Sequence, residues 1–170
     1  LLLITSMYYP LSVTYMKSME SIKPVSLDGL QHVASSNPEE HATIQWLKNN
    51  ATWNDTILEA VGDDYSEFSR ISSSSGIPTV LGWVFHETQW RNTSSMLDTR
   101  KSDVRSMYET KDTMEAKELL DKYQVTYIIV GQRELSKYGH DGPSKFDSIS
   151  ERVYPESEGN GSYSIYRVNR

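Results

Sequence analysis

The residues best suited to chemistry stand together in one stretch, Gly82-Trp83-Val84-Phe85-His86-Glu87-Thr88-Gln89-Trp90-Arg91. Two indoles, an imidazole, a carboxylate and a guanidinium can stack on the face of a sugar ring and bind its hydroxyls or a phosphate. His86-Glu87 opens like a zinc-protease helix, but Trp90 stands where the second histidine would have to fall, one helical turn on. No metal site is therefore expected. Ser72-Ser73-Ser74-Ser75-Gly76 has neither the spacing of a Gly-x-Ser-x-Gly nucleophile elbow nor the lysine of a phosphate loop, and reads as a helix end. His32, His41 and His140 are scattered through polar sequence and read as solvated. No nucleophile–base pair emerges, so no catalytic residue and no cofactor are expected in this chain.

The aromatic stretch follows Thr79-Val80-Leu81-Gly82-Trp83, which reads as a strand, and so lies just past a strand's carboxyl end, where open α/β sheets hold ligands. Glu59, near the end of the neighbouring strand-like run Thr56–Ala60, and Tyr65 and Arg70 beyond it join the candidate ligand set Trp83, His86, Glu87, Trp90 and Arg91. The same residues also suit a purely structural set, with Trp83 and Trp90 in the core and His86-Glu87 capping a helix. Around them, Asn37-Pro38-Glu39-Glu40 starts a helix that runs to about Asn50. A second helix is expected from Asp64 through Ile71, stopped by Gly76-Ile77-Pro78. From His86 to Tyr123 the pattern is helical but broken, clearest after Asp112, which forms a capping-box-like pair with Glu115.

Val125–Gly131 is β-branched or aromatic at nearly every position and reads as a central strand. A polar helix or loop follows near Arg133–Tyr138. Ile149–Tyr154 and Tyr163–Val168, around a Gly/Pro-containing loop, form a hairpin. The expected fold is α/β, three-layered, with βαβ units, parallel central strands and a C-terminal antiparallel hairpin in one mixed sheet.

At 170 residues the chain fits a single soluble α/β domain over 37–170, preceded by a connector over 17–36. Its net charge of −6, with no basic stripe, disfavours nucleic acid as a partner. Cysteine is absent, which removes disulfides and thiolate chemistry. Four of the seven asparagines, Asn50, Asn54, Asn92 and Asn160, head glycosylation sequons, although Asn in these places also suits turns. Residues 1–16 are apolar and aromatic but fall short of the ~20 residues of a bilayer span. They read as the end of a transmembrane helix, with Tyr8 and Tyr9 at interfacial depth, or as an apolar lead-in packed on the core.

The succession of Trp46-Leu47, Ile57–Ala60, Gly76-Ile77-Pro78, Lys122–Gly131 and the final Tyr163-Ser164-Ile165-Tyr166-Arg167-Val168 resembles the C-terminal soluble domains of polytopic, lipid-linked-sugar glycosyltransferases of the protein mannosyltransferase and oligosaccharyltransferase type. Leu27-Asp28-Gly29, Ile57–Ala60, Ser69-Arg70-Ile71-Ser72, Gly76–Trp83 and His86–Arg91 look like the archaeal and bacterial multi-pass membrane proteins of the "YYY" group. The resemblance implies a non-catalytic, extracytoplasmic domain of a cell-membrane protein. It would assist the binding of an acceptor polypeptide or a sugar-phosphate lipid, with the transmembrane part of the same polypeptide as partner. An extracellular interaction or assembly module is the other reading. The tryptophans of the oligosaccharyltransferase acceptor motif are absent from Leu58–Tyr65, which argues against sequon recognition of that kind.

Overall fold

The computed structural model describes residues 2–20, 26–91, 94–155 and 162–169. They fall into a short unit ending at His32 and a larger one beginning at Val33. In the first, helix α1 (Leu2–Glu20) contains Pro10 and exposes Met7, Tyr8, Tyr9, Leu11, Tyr15, Met16 and Met19. No helix among the described residues is long and apolar enough to cross a membrane. The Asp28 carboxylate accepts the Leu30 N–H at 2.9 Å, a turn that precedes α2 (Gln31–Ser36). The stretch read as a connector thus holds the end of α1 and all of α2, with 21–25 outside the described residues.

In the larger unit, α3 (Pro38–Asn50) begins as its cap dictates, the Asn37 side chain accepting the Glu40 N–H at 3.1 Å. Strand β1 (Ile57–Leu58) is shorter than the expected 56–60, and the expected strand 79–83 reduces to one parallel bridge of Thr79 to Ile57. The reason lies in where the N–H groups go. Ala60 and Val61 donate to Glu134 Oε1 (2.9 Å) and Tyr138 Oη (3.2 Å), and Gly82 donates to Glu87 Oε1 (2.8 Å), so side chains take the bonds a ladder would need.

The helix expected from Asp64 starts only at α4 (Arg70–Ser75), because Tyr65 and Ser69 adopt left-handed backbone with φ of 56° and 61°. Gly76, with φ of 80°, ends it and returns its N–H to the Ser72 carbonyl at 2.9 Å. The broken helical stretch becomes α5 (Val84–Arg91), α6 (Ser94–Glu109) and α7 (Thr113–Lys122). Asp112 caps α7 by accepting the Met114 and Glu115 N–H groups at 2.8 and 3.4 Å.

Strand β2 (Tyr127–Val130) is followed by α8 (Gln132–Tyr138), a single 3-10 turn (Pro143–Lys145), α9 (Phe146–Ile149), β3 (Ser150–Tyr154) and β4 (Ser164–Val168). The sheet order is β1-β2-β4-β3, with β1 parallel to β2 and β4 antiparallel to both of its neighbours. The fold is therefore α/β with a mixed sheet and a C-terminal antiparallel hairpin. Leu58, Ile128 and Tyr166 join Leu97, Val104 and Met107 of α6 and Leu120 of α7 in the main core. Alternation turns Tyr127 to the other face, where it meets Trp46 of α3 edge-on at 5.6 Å, so helices cover both sides.

Tyr108, fully buried in the last turn of α6, ties that helix to two strands, its hydroxyl lying 3.0 Å from the Leu58 carbonyl and 2.8 Å from that of Ile129. Tyr108→Phe strips both carbonyls of this donor. The expected loss is ~1–2 kcal/mol in urea unfolding, with the helical circular dichroism unchanged.

Candidate functional site

The left-handed turn before α4 carries Tyr65 back over the start of α5. Its ring lies 5.1 Å from that of Trp83 and 5.9 Å from that of His86, centroid to centroid. Trp83 is anchored by its indole N–H, which donates to the Phe68 carbonyl at 2.8 Å. Asp64 holds the beginning of α5 by accepting the Phe85 N–H at 3.0 and 3.2 Å, a carboxylate at the positive end of a helix. Trp90 Nε1–H donates to His86 Nε2 at 3.4 Å. An indole can only donate, so Nε2 is the acceptor there, and Nδ1 lies 3.3 Å from Tyr65 Oη.

Two of these rings, Trp83 and His86, line a cleft of about 270 Å³ together with Ser69, Ser72, Ser73, Gly82 and Glu87, and Tyr65 and Trp90 pack against them from outside it. Glu87 is a brace within it: Oε1 accepts the Gly82 N–H at 2.8 Å, while Oε2 pairs with Arg91 at 3.2 Å. Ser69 Oγ, beneath the cleft, is buried without a hydrogen-bond partner. The arrangement offers stacking faces beside small hydroxyls, which suits a ring that is apolar on its faces and polar at its rim. It presents no nucleophile–base pair, and among the described residues no group of three or more His, Cys, Asp or Glu could hold a metal.

Of the expected ligand set, Trp83, His86 and Glu87 line the cleft, Tyr65, Trp90 and Arg91 stand against them, and two residues are elsewhere. Arg70 turns away to the buried Glu40, with Nε on Oε1 at 2.8 Å and Nη2 on Oε2 at 2.5 Å, and also reaches Glu67 at 3.2 Å. Glu59 lies behind the cleft floor, only 3% exposed, its Oε2 3.5 Å from the Ser72 N–H and its Oε1 without a partner. Burial pushes its carboxyl up to about 7, helped by the nearby Glu134, so Glu59 is an interior acid and not a cleft ligand. Glu134 is raised by burial too, and accepts the Ala60 and Gly131 N–H groups at 2.9 Å each.

The placement of the tryptophans in the core is corrected for Trp90, which is 81% exposed. Of the cleft serines, Ser72 and Ser73 belong to the four-serine run that reads as a helix end, while Ser69 precedes it and has no such signal. Asn50 and Asn54 are exposed, the former donating its side-chain N–H to the Trp46 carbonyl at 2.8 Å. Asn92 and Asn160 lie outside the described residues.

The site and sheet together define an α/β domain with an aromatic, hydroxyl-floored cleft. No protein-family model matches the chain, and no curated protein does. Among solved structures, the C-terminal globular domain of an oligosaccharyltransferase from Archaeoglobus fulgidus is similar over 77% of this chain and 97% of that one, at 12% identity and a TM-score of 0.47. That likeness assigns neither family nor activity, and the narrower "YYY" resemblance has no counterpart in these matches.

Proposed function

We propose that this chain is a non-catalytic, saccharide-binding accessory domain of a glycosyltransferase-like membrane protein, and that its cleft receives the neutral ring of an acceptor glycan or of a lipid-linked sugar. The observation that carries the reading is the pair of rings Trp83 and His86, backed by Tyr65 and Trp90, lining one cleft with Ser69, Ser72 and Ser73. The lining residues include one carboxylate and no lysine or arginine, which favours an uncharged ring over a phosphate at this place. The membrane setting is supported by the sequence resemblance and by α1, whose seven exposed apolar or aromatic side chains suit burial against other apolar matter. An extracytoplasmic location belongs to the same proposal, as does use of the two described sequons.

A protein-interaction reading is favoured by one observation, the exposure of Phe85 (56%) next to Trp90 on α5. Titration with neutral oligosaccharides and with the matching sugar phosphates, followed at the Trp83 and Trp90 indole N–H signals by NMR, separates the two. Saturable shifts are expected from the neutral sugars, with the phosphates binding no more tightly. Tyr65→Ala, which withdraws the ring packed on Trp83 and His86, should weaken that binding about tenfold. Silence at both indoles for every sugar would defeat the saccharide reading and leave the protein-interaction one.

A further inference from the structure

On different elements from the aromatic cleft, Lys145 is a buried lysine with no carboxylate beside it. Its residue is only 8% exposed, a depth at which lysine is almost always paired. Its ammonium instead donates to two backbone carbonyls, Tyr108 at 3.0 Å and Gly142 at 2.9 Å, and lies 4.5 Å from the centre of the Phe146 ring. Tyr108 belongs to the last turn of α6, so the lysine sits at the negative end of that helix, which accounts for its retention in the interior. The Gly142 chain presses so close that a Cβ there would overlap the Tyr108 carbonyl oxygen.

Capping uses two of the three ammonium protons. The third has no acceptor among the described residues, and the same lysine lines a cavity of about 320 Å³ with Lys111, Ser144 and Asp141. Asp141 does not neutralise Lys145: its carboxylate pairs at 3.2 Å with Lys111, both side chains being exposed at the rim. Burial lowers the Lys145 ammonium to about 8, opposed by the more distant Glu115 carboxylate, so it still carries its charge at neutral pH.

We propose that this cavity is an oxyanion site that takes a phosphate group, held by the free Lys145 proton, by Lys111 released from Asp141, and by the Ser144 hydroxyl once it turns from the Asp141 carbonyl, to which it donates at 2.7 Å. A tetrahedral phosphate offers several acceptor oxygens, enough for one inner cation, one rim cation and a hydroxyl at once. The cavity is open at its Lys111–Asp141 rim, so the phosphate can be free or an ester carried by a soluble metabolite or a lipid head.

The test uses the full chain with inorganic phosphate, glycerol phosphate, and vesicles of phosphatidylcholine with or without phosphatidic acid. Lys145→Met would orphan two carbonyls and is expected to damage the fold, so the informative variants are Lys111→Ala and Ser144→Ala. Phosphate should raise the midpoint of thermal unfolding saturably, beyond chloride at equal ionic strength, and Lys111→Ala should weaken that binding about tenfold with the phosphate-free midpoint unchanged. A soluble-phosphate response with no preference for phosphatidic acid assigns a free ester. Added retention on phosphatidic acid vesicles assigns a lipid head. Equal effects of phosphate and chloride without vesicle retention, or unchanged phosphate affinity in Lys111→Ala, overturn the proposal.

Discussion

Glu40→Ala is expected to lower the unfolding free energy by ~3–4 kcal/mol at pH 7, measured by urea denaturation. Glu40 is wholly buried, and four donors converge on it: Arg70 through Nε and Nη2, Arg133 through Nη2, and Asn37 Nδ2 at 3.2 Å. The arginine side chains are themselves only 18% and 14% exposed. Removing the carboxylate leaves two guanidinium groups with little water and only the exposed Glu67 as counter-ion, 3.2 Å from Arg70 and 3.9 Å from Arg133; stranding charge in this way costs ~3–5 kcal/mol in buried pairs. The residual exposure of the arginines sets the expectation toward the lower end. Replacing all three residues together by apolar ones, Glu40→Leu with Arg70→Met and Arg133→Met, should recover most of the loss, since no charge is then stranded.

The pH dependence of this cluster has a definite sign. Burial pushes the Glu40 carboxyl up, but hydrogen bonds and charge from Arg70 and Arg133 outweigh it and hold it below the ordinary 4.5. Its contribution is present above the unfolded value and is lost as pH falls through the depressed folded value. A loss under 1 kcal/mol for Glu40→Ala at pH 7 would mean that water and the existing contacts to Glu67 suffice for the two arginines.

Glu59→Gln is expected to act in the opposite direction and raise stability by ~3 kcal/mol at pH 8, with little effect at pH 4. The folded carboxyl lies at about 7, against 4.5 when unfolded, because burial resists its ionisation. A group raised in this way contributes fully below 4.5, and that contribution is lost as pH rises toward and through 7; a difference of this size corresponds to ~3 kcal/mol. Glutamine keeps an acceptor for the Ser72 N–H and cannot ionise. Glu134 is raised as well, so the variant retains part of the wild-type decline with pH. Parallel urea titrations at pH 4 and pH 8 check this, and an equal effect at both would show that Glu59 ionises no differently in the folded chain.

Much of the fold was legible because its signals act over a few residues. Asn37 and Asp112 satisfy N–H groups two or three positions on, and the run around Tyr127–Val130 has few alternatives to a buried strand. The errors fell where distant groups intervened. Strand 56–60 stops at Leu58 because Glu134 and Tyr138, 74 and 77 residues away, claim the N–H groups of Ala60 and Val61. The helix expected from Asp64 was displaced to Arg70 by left-handed backbone at Tyr65 and Ser69, where neither residue type announces such a conformation.

The candidate site divides in the same way. By itself the sequence determined that Trp83, His86, Glu87, Trp90 and Arg91 share one short helix and its entry, since adjacency along the chain ensures it. Only the tertiary structure decided that Tyr65 closes over them, that Ser69 and Ser73 line the cleft, and that Trp90 stands in solvent. It alone drew Arg70 away to Glu40, 30 residues distant, with Arg133 a further 63 along the chain. A carboxylate's partners and its ionisation depend on which elements exclude water around it, and that is a property of the packed fold, not of any local stretch.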